Sequence, residues 1–279
     1  MNENRNFLYK HRYLIARRIV QVSILLLYIA GNVYGWKILQ GNLSSSRLFD
    51  IIPLADPYAT LQLFAAGTIL ATDVIVGALI ILAFYSLIGG RAFCSWVCPI
   101  NMVTDFANWL RVKTGLHKDE WQLRISRKTR YWILGLSLIL SFIVAAPAFE
   151  FISPISMLHR GLIFGMGFGF AAVVAVFLFD LFVTKNGWCG HLCPLGGFYS
   201  LVTKPSVIRV KHDADKCTLC MNCKNVCPEK QVLWMIGKES VFVSSGECIN
   251  CARCIEVCND DALNFGLRYK PNKEEKENA

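Results

Sequence analysis

Between residues 217 and 258 the chain uses one cysteine spacing twice. Cys217-x2-Cys220-x2-Cys223-x3-Cys227-Pro228 is followed by Cys248-x2-Cys251-x2-Cys254-x3-Cys258. Nothing else in the sequence limits the fold so strongly. Three thiolates at such short intervals can wrap three corners of one metal–sulfur core, while the fourth points away from it.

That is the spacing of a bacterial double-cluster ferredoxin, with each fourth cysteine reaching across to the other cluster. It predicts one [4Fe–4S] cluster on Cys217, Cys220, Cys223 and Cys258, and a second on Cys248, Cys251, Cys254 and Cys227. The predicted fold for residues 204–269 is an α+β ferredoxin domain. Asn259 stands where the second motif would usually carry Pro, a departure that bears on loop shape rather than ligation. A pair of zinc sites is the competing reading, but zinc takes four ligands in one compact site, commonly as two Cys pairs. The final segment, 270–279, is charged and lacks large apolar groups, so it reads as a disordered end.

The rest of the chain is of a different kind. Residues 19–36, 74–90, 131–149 and 161–179 contain no Asp, Glu, Lys or Arg, and mean hydropathy is +0.41. About 20 mostly apolar residues cross the hydrocarbon layer as a helix, and tilt or snorkelling accommodates runs of these lengths. Four transmembrane helices are expected, near 17–39, 67–90, 131–149 and 161–184, within a membrane domain 17–203 that follows a basic segment 1–16. Pro147 marks the exit of the third. A buried core helix explains any one run but not four with basic flanks. Arg17-Arg18 is read as a cytoplasmic anchor in preference to a twin-arginine signal, because no small-residue cleavage site ends the run.

The net charge of +9 does not point to nucleic acid, because of where it lies. Residues 204–279 hold 12 basic and 11 acidic side chains, and residues 1–203 hold 17 and 9. The surplus sits before the first run, at Arg5, Lys10, Arg12, Arg17 and Arg18, and between the second and third. By the positive-inside rule, both termini and the 91–130 loop face the cytoplasm of a bacterial inner membrane, and 40–66 and 150–160 face outward. All twelve cysteines then lie where thiols stay reduced, which argues against a disulfide framework.

The membrane part repeats. The second run leads into Phe93-Cys94-Ser95-Trp96-Val97-Cys98-Pro99 and the fourth into Trp188-Cys189-Gly190-His191-Leu192-Cys193-Pro194. Two parallel two-helix repeats, each ending in Cys-x3-Cys-Pro, would bring the motifs together about an axis along the membrane normal. Cys94, Cys98, Cys189 and Cys193 suit a further metal or redox centre. A dithiol/disulfide pair in each half and inert buried thiols are the alternatives.

Other candidates are weaker. Glu150, His159 and Arg160, with Asp50 and Asp56 in the other outer loop, are placed to take protons from a quinol oxidised near the outer face, although loops are ordinarily polar. Asp73 and Asp180 lie near interfaces, where partial hydration makes a charge cheap. His191 is read as a surface residue ahead of a ligand. Tyr34, Trp36, Trp109, Trp132 and Trp188 read as an interfacial aromatic belt.

Taken with Gly41-Asn42-Leu43-Ser44-Ser45-Ser46, Asp56-Pro57 and Asp105-Phe106-Ala107-Asn108-Trp109-Leu110-Arg111, these motifs resemble the NapH-type membrane subunits of periplasmic nitrate reductase systems over nearly the whole chain. The resemblance implies a quinol dehydrogenase component. It would pass electrons from the quinol pool, with a NapG-type ferredoxin subunit and a membrane-anchored multihaem cytochrome, towards the reductase. A maturation or docking factor for such a reductase is the alternative, and a cupric reductase, as in one wider relative, a third.

Overall fold

A computed structural model describes residues 7–89, 91–116, 125–165, 167 and 169–268. The expectations for Arg5, for residues 117–124 of the 91–130 loop and for the 270–279 end fall outside these residues. After a short helix α1 (Phe7–Lys10) comes α2 (Arg12–Val33), and Thr72–Gly89 comprises α4 (Thr72–Phe84) plus a π turn. These two helices are long and apolar enough to cross a membrane. Two shorter apolar helices follow, α6 (Thr129–Val144) and α9 (Gly169–Leu178), the latter running into a π turn at Phe179–Val183. Their outer faces are apolar and exposed, as at Leu26, Leu79, Phe142 and Phe170, a surface that lipid would cover.

The expected boundaries shift where local chemistry intervenes. α6 stops at Val144, because Ala145 turns left-handed at φ 52° ahead of Pro147. The run expected as one helix from 161 to 184 is broken. Residues Pro154–Phe164 form a separate helix, α8, after the short α7 (Ala148–Ile152), and Gly165 at φ 104° ends it. No helix passes through that backbone conformation, which glycine adopts at little cost.

The segment between α2 and α4 holds a three-stranded antiparallel meander, β1 (Leu39–Gly41), β2 (Ser45–Leu48) and β3 (Ile52–Ala55), and then α3 (Pro57–Ala65). Asp56 caps α3, its side chain accepting the Tyr58 N–H at 3.1 Å, and Pro57 takes the first turn, the position where its missing N–H costs nothing. The meander is clasped to α2 by Asn32, whose amide donates to the Gly41 carbonyl at 2.8 Å and accepts the Gly41 N–H at 3.1 Å. Gly31 lets the two touch, because a Cβ there would stand 2.0 Å from the Leu39 carbonyl oxygen. Gly31→Val is therefore expected to lower stability by about 1–3 kcal/mol through overpacking, read as a lower melting midpoint of the detergent-solubilised protein. An unchanged midpoint would mean that the strand moves freely from the helix.

The cytoplasm-assigned segment carries α5 (Ile100–Lys113), and α10 (Pro194–Val202) is its counterpart in the second half. The halves match locally. Each has an apolar helix, a π turn, a second π turn (Phe93–Val97 or Trp188–Leu192), Cys-Pro, and a new helix. Cys98 and Cys193 are both extended, at φ −62° and −65°, and their N–H groups donate five residues back to Phe93 and Trp188.

The C-terminal unit is α+β. Strand β4 (Ile208–His212) pairs antiparallel with β5 (Leu263–Leu267), with Ile208 opposite Leu267 and His212 opposite Leu263. Between them lie the cysteine loops and two short helices, α11 (Asn222–Val226) and α12 (Arg253–Glu256). Val210, Leu233, Met235, Val243 and Leu263 fill its core.

Candidate functional site

The two cysteine loops of the C-terminal unit share a backbone path. Leu219 and Asn250 stand two residues after the first cysteine of each loop, and Met221 and Ala252 four after it. All four are left-handed, at φ 60°, 48°, 57° and 59°. For Leu219, Met221 and Ala252 that conformation costs about 1–2 kcal/mol each. Turns of this kind aim successive backbone N–H groups into one concavity, the arrangement found at many iron–sulfur sites.

Each concavity is lined by four thiols drawn from both motifs. Cys217, Cys220, Cys223 and Cys258 face one, and Cys227, Cys248, Cys251 and Cys254 face the other. Burial raises the Cys227 thiol, with Cys251 and Cys248 adding to the effect, and Cys223 is raised by burial and by Cys258, Cys220 and Cys217. Among the described residues no three His, Cys, Asp or Glu gather as ligands of a single ion. The thiols stand around the walls of a space, so the donor set suits a multi-iron core. Near Asn259, Asp260 accepts the Thr218 hydroxyl at 2.6 Å, tying the end of the second motif to the first.

The cysteines of the helical unit come together as the repeat predicts. Every pair among Cys94, Cys98, Cys189 and Cys193 lies within electrostatic reach. Burial pushes the Cys98 and Cys189 thiols well up and the Cys193 thiol up to about 12. Thiols so shielded are poor exchange nucleophiles, whereas a coordinated metal deprotonates them outright.

The two cysteine regions abut. The Ser95 hydroxyl donates to the Ile249 carbonyl at 2.6 Å and the Trp96 indole to the Asn250 carbonyl at 3.1 Å. Asn250 donates in turn to the Gly89 carbonyl at 2.9 Å. A small cavity is walled by Cys94 and Cys189 on one side and by Pro228, Ile249 and Arg253 on the other.

Two carboxylate clamps, invisible to sequence reasoning, hold this junction. Glu229, 2% exposed, accepts from Arg91 at 3.0 Å, from Arg130 at 2.9 Å and from Arg127. Arg130 also reaches Glu247, and Arg127 donates to the Pro228 carbonyl at 2.8 Å. Asp105, on α5, takes Arg18 and Arg253, with Arg17 nearby. Burial opposes ionisation of Asp105, but Arg253, Arg18 and Arg17 prevail and hold its carboxyl below the usual carboxylate range.

The candidates among the loops expected to face outward divide. Glu150 accepts from the Ser44 hydroxyl and from Arg160 at 3.1 Å. It lies within electrostatic reach of Asp56, which burial pushes up to about 7 against the restraint of the Tyr58 N–H. His159 is 1% exposed, edge-on to the Tyr28 ring at 4.6 Å, with neither ring nitrogen hydrogen-bonded. Asp50 lies at a left-handed position in the β2–β3 turn, away from this group.

The remaining expectations are settled one by one. Asp73 pairs with Arg47 at 3.1 Å at the surface. Asp180 is fully buried rather than hydrated, and caps the second motif by accepting the Trp188 N–H at 2.9 Å. His191 is partly buried beside Arg127 instead of exposed. Tyr34, Trp36, Trp109 and Trp132 are exposed, whereas Trp188 packs into the core.

Two loops able to hold iron–sulfur cores, docked on a helical unit with a second cysteine set, define an iron–sulfur electron-transfer protein. The 4Fe-4S dicluster domain family matches residues 209–259, and the 4Fe-4S binding domain family matches twice, at 70–117 and 162–212, once in each half of the repeat. The chain is 42% identical over 271 residues to the ferredoxin-type protein NapH of Escherichia coli, covering 96% of this chain and 93% of the relative. It is 44% identical to that of Haemophilus influenzae, covering 94% and 92%. It is 41% identical to the methylamine utilization ferredoxin-type protein MauN of Methylorubrum extorquens, covering 92% and 90%. No solved structure matches. The chain belongs to the NapH-type family of ferredoxin-type proteins.

Proposed function

We propose that this chain is a membrane-embedded iron–sulfur subunit that takes electrons from the quinol pool. With a NapG-type partner ferredoxin and a multihaem cytochrome, it relays them towards a periplasmic nitrate reductase. In this reading α2, α4, α6 and α9 cross the inner membrane, with their π turns and the cysteine-bearing unit on the cytoplasmic side. Cys217, Cys220, Cys223 and Cys258 hold one cluster, and Cys227, Cys248, Cys251 and Cys254 the other. Cys94, Cys98, Cys189 and Cys193 hold a third centre. When bound, these groups supply one-electron carriers. The chain's own part is to bind and space them, to keep water from the membrane-side thiols, and to neutralise buried charge with Arg91, Arg127 and Arg130.

The observation that supports the reading most is the junction. The Cys248–Cys254 loop is seated on the first Cys-x3-Cys-Pro motif by Ser95 and Trp96, and Pro228, Ile249 and Arg253, each next to a cluster-loop cysteine, wall one small cavity with Cys94 and Cys189. The test is to add a quinol to the anaerobic complex, with its partner subunits, in lipid. Cluster absorbance is expected to bleach, and persistence of the oxidised spectrum would overturn the reading. Relatives named for methylamine utilization match about as well, so growth of a deletion strain on nitrate and on methylamine identifies the terminal pathway. In a Cys94→Ser, Cys193→Ser strain, a reductase that still works with an artificial donor lacks electrons, whereas one inactive with every donor lacks maturation.

A further inference from the structure

The largest cavity described, of about 230 Å³, lies between α2, the β1–β3 meander, the end of α4 and the first cysteine motif. A single water needs only about 10–15 Å³, so this space accommodates a substituted ring. One end is polar, with Asp56 and the Tyr28–Ser46 hydroxyl pair, 3.1 Å apart. The other is an aromatic wall. Phe93 stacks on Tyr199 at 5.4 Å and 24°, and Tyr85 meets both edge-on. Phe93 directly precedes Cys94, and Val97, also in the wall, precedes Cys98.

Beyond the polar end lies a route to the surface. The Asp56 carboxyl is within electrostatic reach of Glu150, which accepts from the Ser44 hydroxyl and pairs with Arg160, whose side chain is 50% exposed, while the Asp56 N–H, donating to the Ser44 carbonyl at 2.9 Å, holds the two segments side by side. The groups facing Asp56 are Glu150 and the hydroxyls of Tyr58, Tyr85 and Tyr199.

We propose that this cavity binds the headgroup of a membrane quinol, with the Asp56 carboxylate accepting a hydroxyl proton and Glu150 passing it outward. The proposal rests on the quinol reading above and gives it a place. Oxidation of one quinol breaks two O–H bonds and yields quinone, two protons and two electrons. The protons leave through Asp56 and Glu150 to the outer aqueous phase. The electrons leave singly to oxidised iron–sulfur acceptors on the cysteine side of the aromatic wall. A cavity between an outward proton path and the cysteine motifs separates the two products of the reaction in space.

The test uses the full-length protein in lipid nanodiscs with a naphthoquinone carrying a photoreactive azide. Labelling is expected on peptides spanning Tyr28, residues 43–56 or Tyr85–Val97, and to fall at least tenfold in Ala55→Phe and in Leu48→Trp, which fill the space from two strands of the meander. The dithionite-reduced EPR spectrum of both variants should match the wild type, which separates a filled site from a misfolded one. Asp56→Asn is expected to keep labelling within about threefold while slowing quinol-driven reduction at least a hundredfold. In the wild type the rate is expected to rise as pH increases through about 7, and Asp56→Asn should abolish that rise. Unchanged labelling in both cavity-filling variants, or a wild-type rate and pH profile in Asp56→Asn, would overturn the site and leave the quinol reading standing. Failure of any quinol to reduce the wild-type complex would overturn that reading itself.

Discussion

Replacing Glu229 with glutamine is expected to destabilise the docked protein by about 3–5 kcal/mol, the cost of stripping one partner from a buried ion network. Arg91 and Arg130 are 1% and 0% exposed, and each donates to Glu229. The glutamine amide keeps one neutral acceptor oxygen but no negative charge, so both guanidiniums stay buried with that oxygen, the Cys189, Gly190 and Glu247 carbonyl groups and the Glu247 carboxylate as their acceptors. The melting midpoint of the detergent-solubilised protein should drop by roughly 10 °C, and limited proteolysis should release the C-terminal unit. Glu247→Gln should cost less, because Glu247 is 21% exposed and its network is partly solvated. A midpoint within about 2 °C of wild type in Glu229→Gln would show that the arginines find other acceptors. The clamps also carry a pH signature. Asp105 and Glu247 are held below the usual carboxylate range. Their contribution is therefore complete above the unfolded-state values of about 4 and is lost as pH falls through the lowered folded-state values.

Serine at a cluster ligand is expected to remove about four irons from the chain, and the pairing of effects across the two motifs tests the crossed arrangement. Cys258→Ser should lose the same EPR signal as Cys217→Ser or Cys220→Ser, although it belongs to the other sequence motif. Cys227→Ser should behave as Cys248→Ser does. Docking should part the two groups further. The Cys248–Cys254 loop touches Ser95 and Trp96, so its loss should expose the junction to protease. The Cys217–Cys223 loop makes no such contact among the described hydrogen bonds, so its loss should leave the junction closed. If Cys258→Ser instead removes the signal assigned to Cys248, Cys251 and Cys254, each motif holds its own cluster and the crossed arrangement is wrong.

The cysteine loops were legible because their information is local. A spacing of two, two and three fixes which thiols point inward before any tertiary contact forms. The repeat was legible for the same reason, and the structure places Cys94, Cys98, Cys189 and Cys193 together. Hydropathy located the apolar helices but misplaced the start of the last, since Gly165 at φ 104° interrupts a run with no charge to betray the break. The meander was hidden because β2, Ser45–Leu48, has little apolar alternation, and the strands flanking it owe their place to Asn32 and Gly31 against β1 and to Gly77 against β3. Glu229 and Asp105 were missed because each meets arginines about 90 to 150 residues away, and a lone carboxylate beside a cysteine motif looks like ordinary surface. Asp180 lies near a helix end, which in sequence reads as a hydrated interface, whereas its neighbour Trp188 decides its role.

The left-handed turns at Leu219, Met221 and Ala252 have a consequence for biogenesis. A ribosome releases this polypeptide without metal, and the three turns then weigh against the native loops by about 3–6 kcal/mol in total. Of these turns Ala252 lies in the Cys248 loop, and its release in an unloaded chain would leave Ser95 and Trp96 without fixed carbonyls to meet. Assembly is then expected to have a direction, in which iron and sulfide delivery precedes closure of the C-terminal unit onto the helical unit.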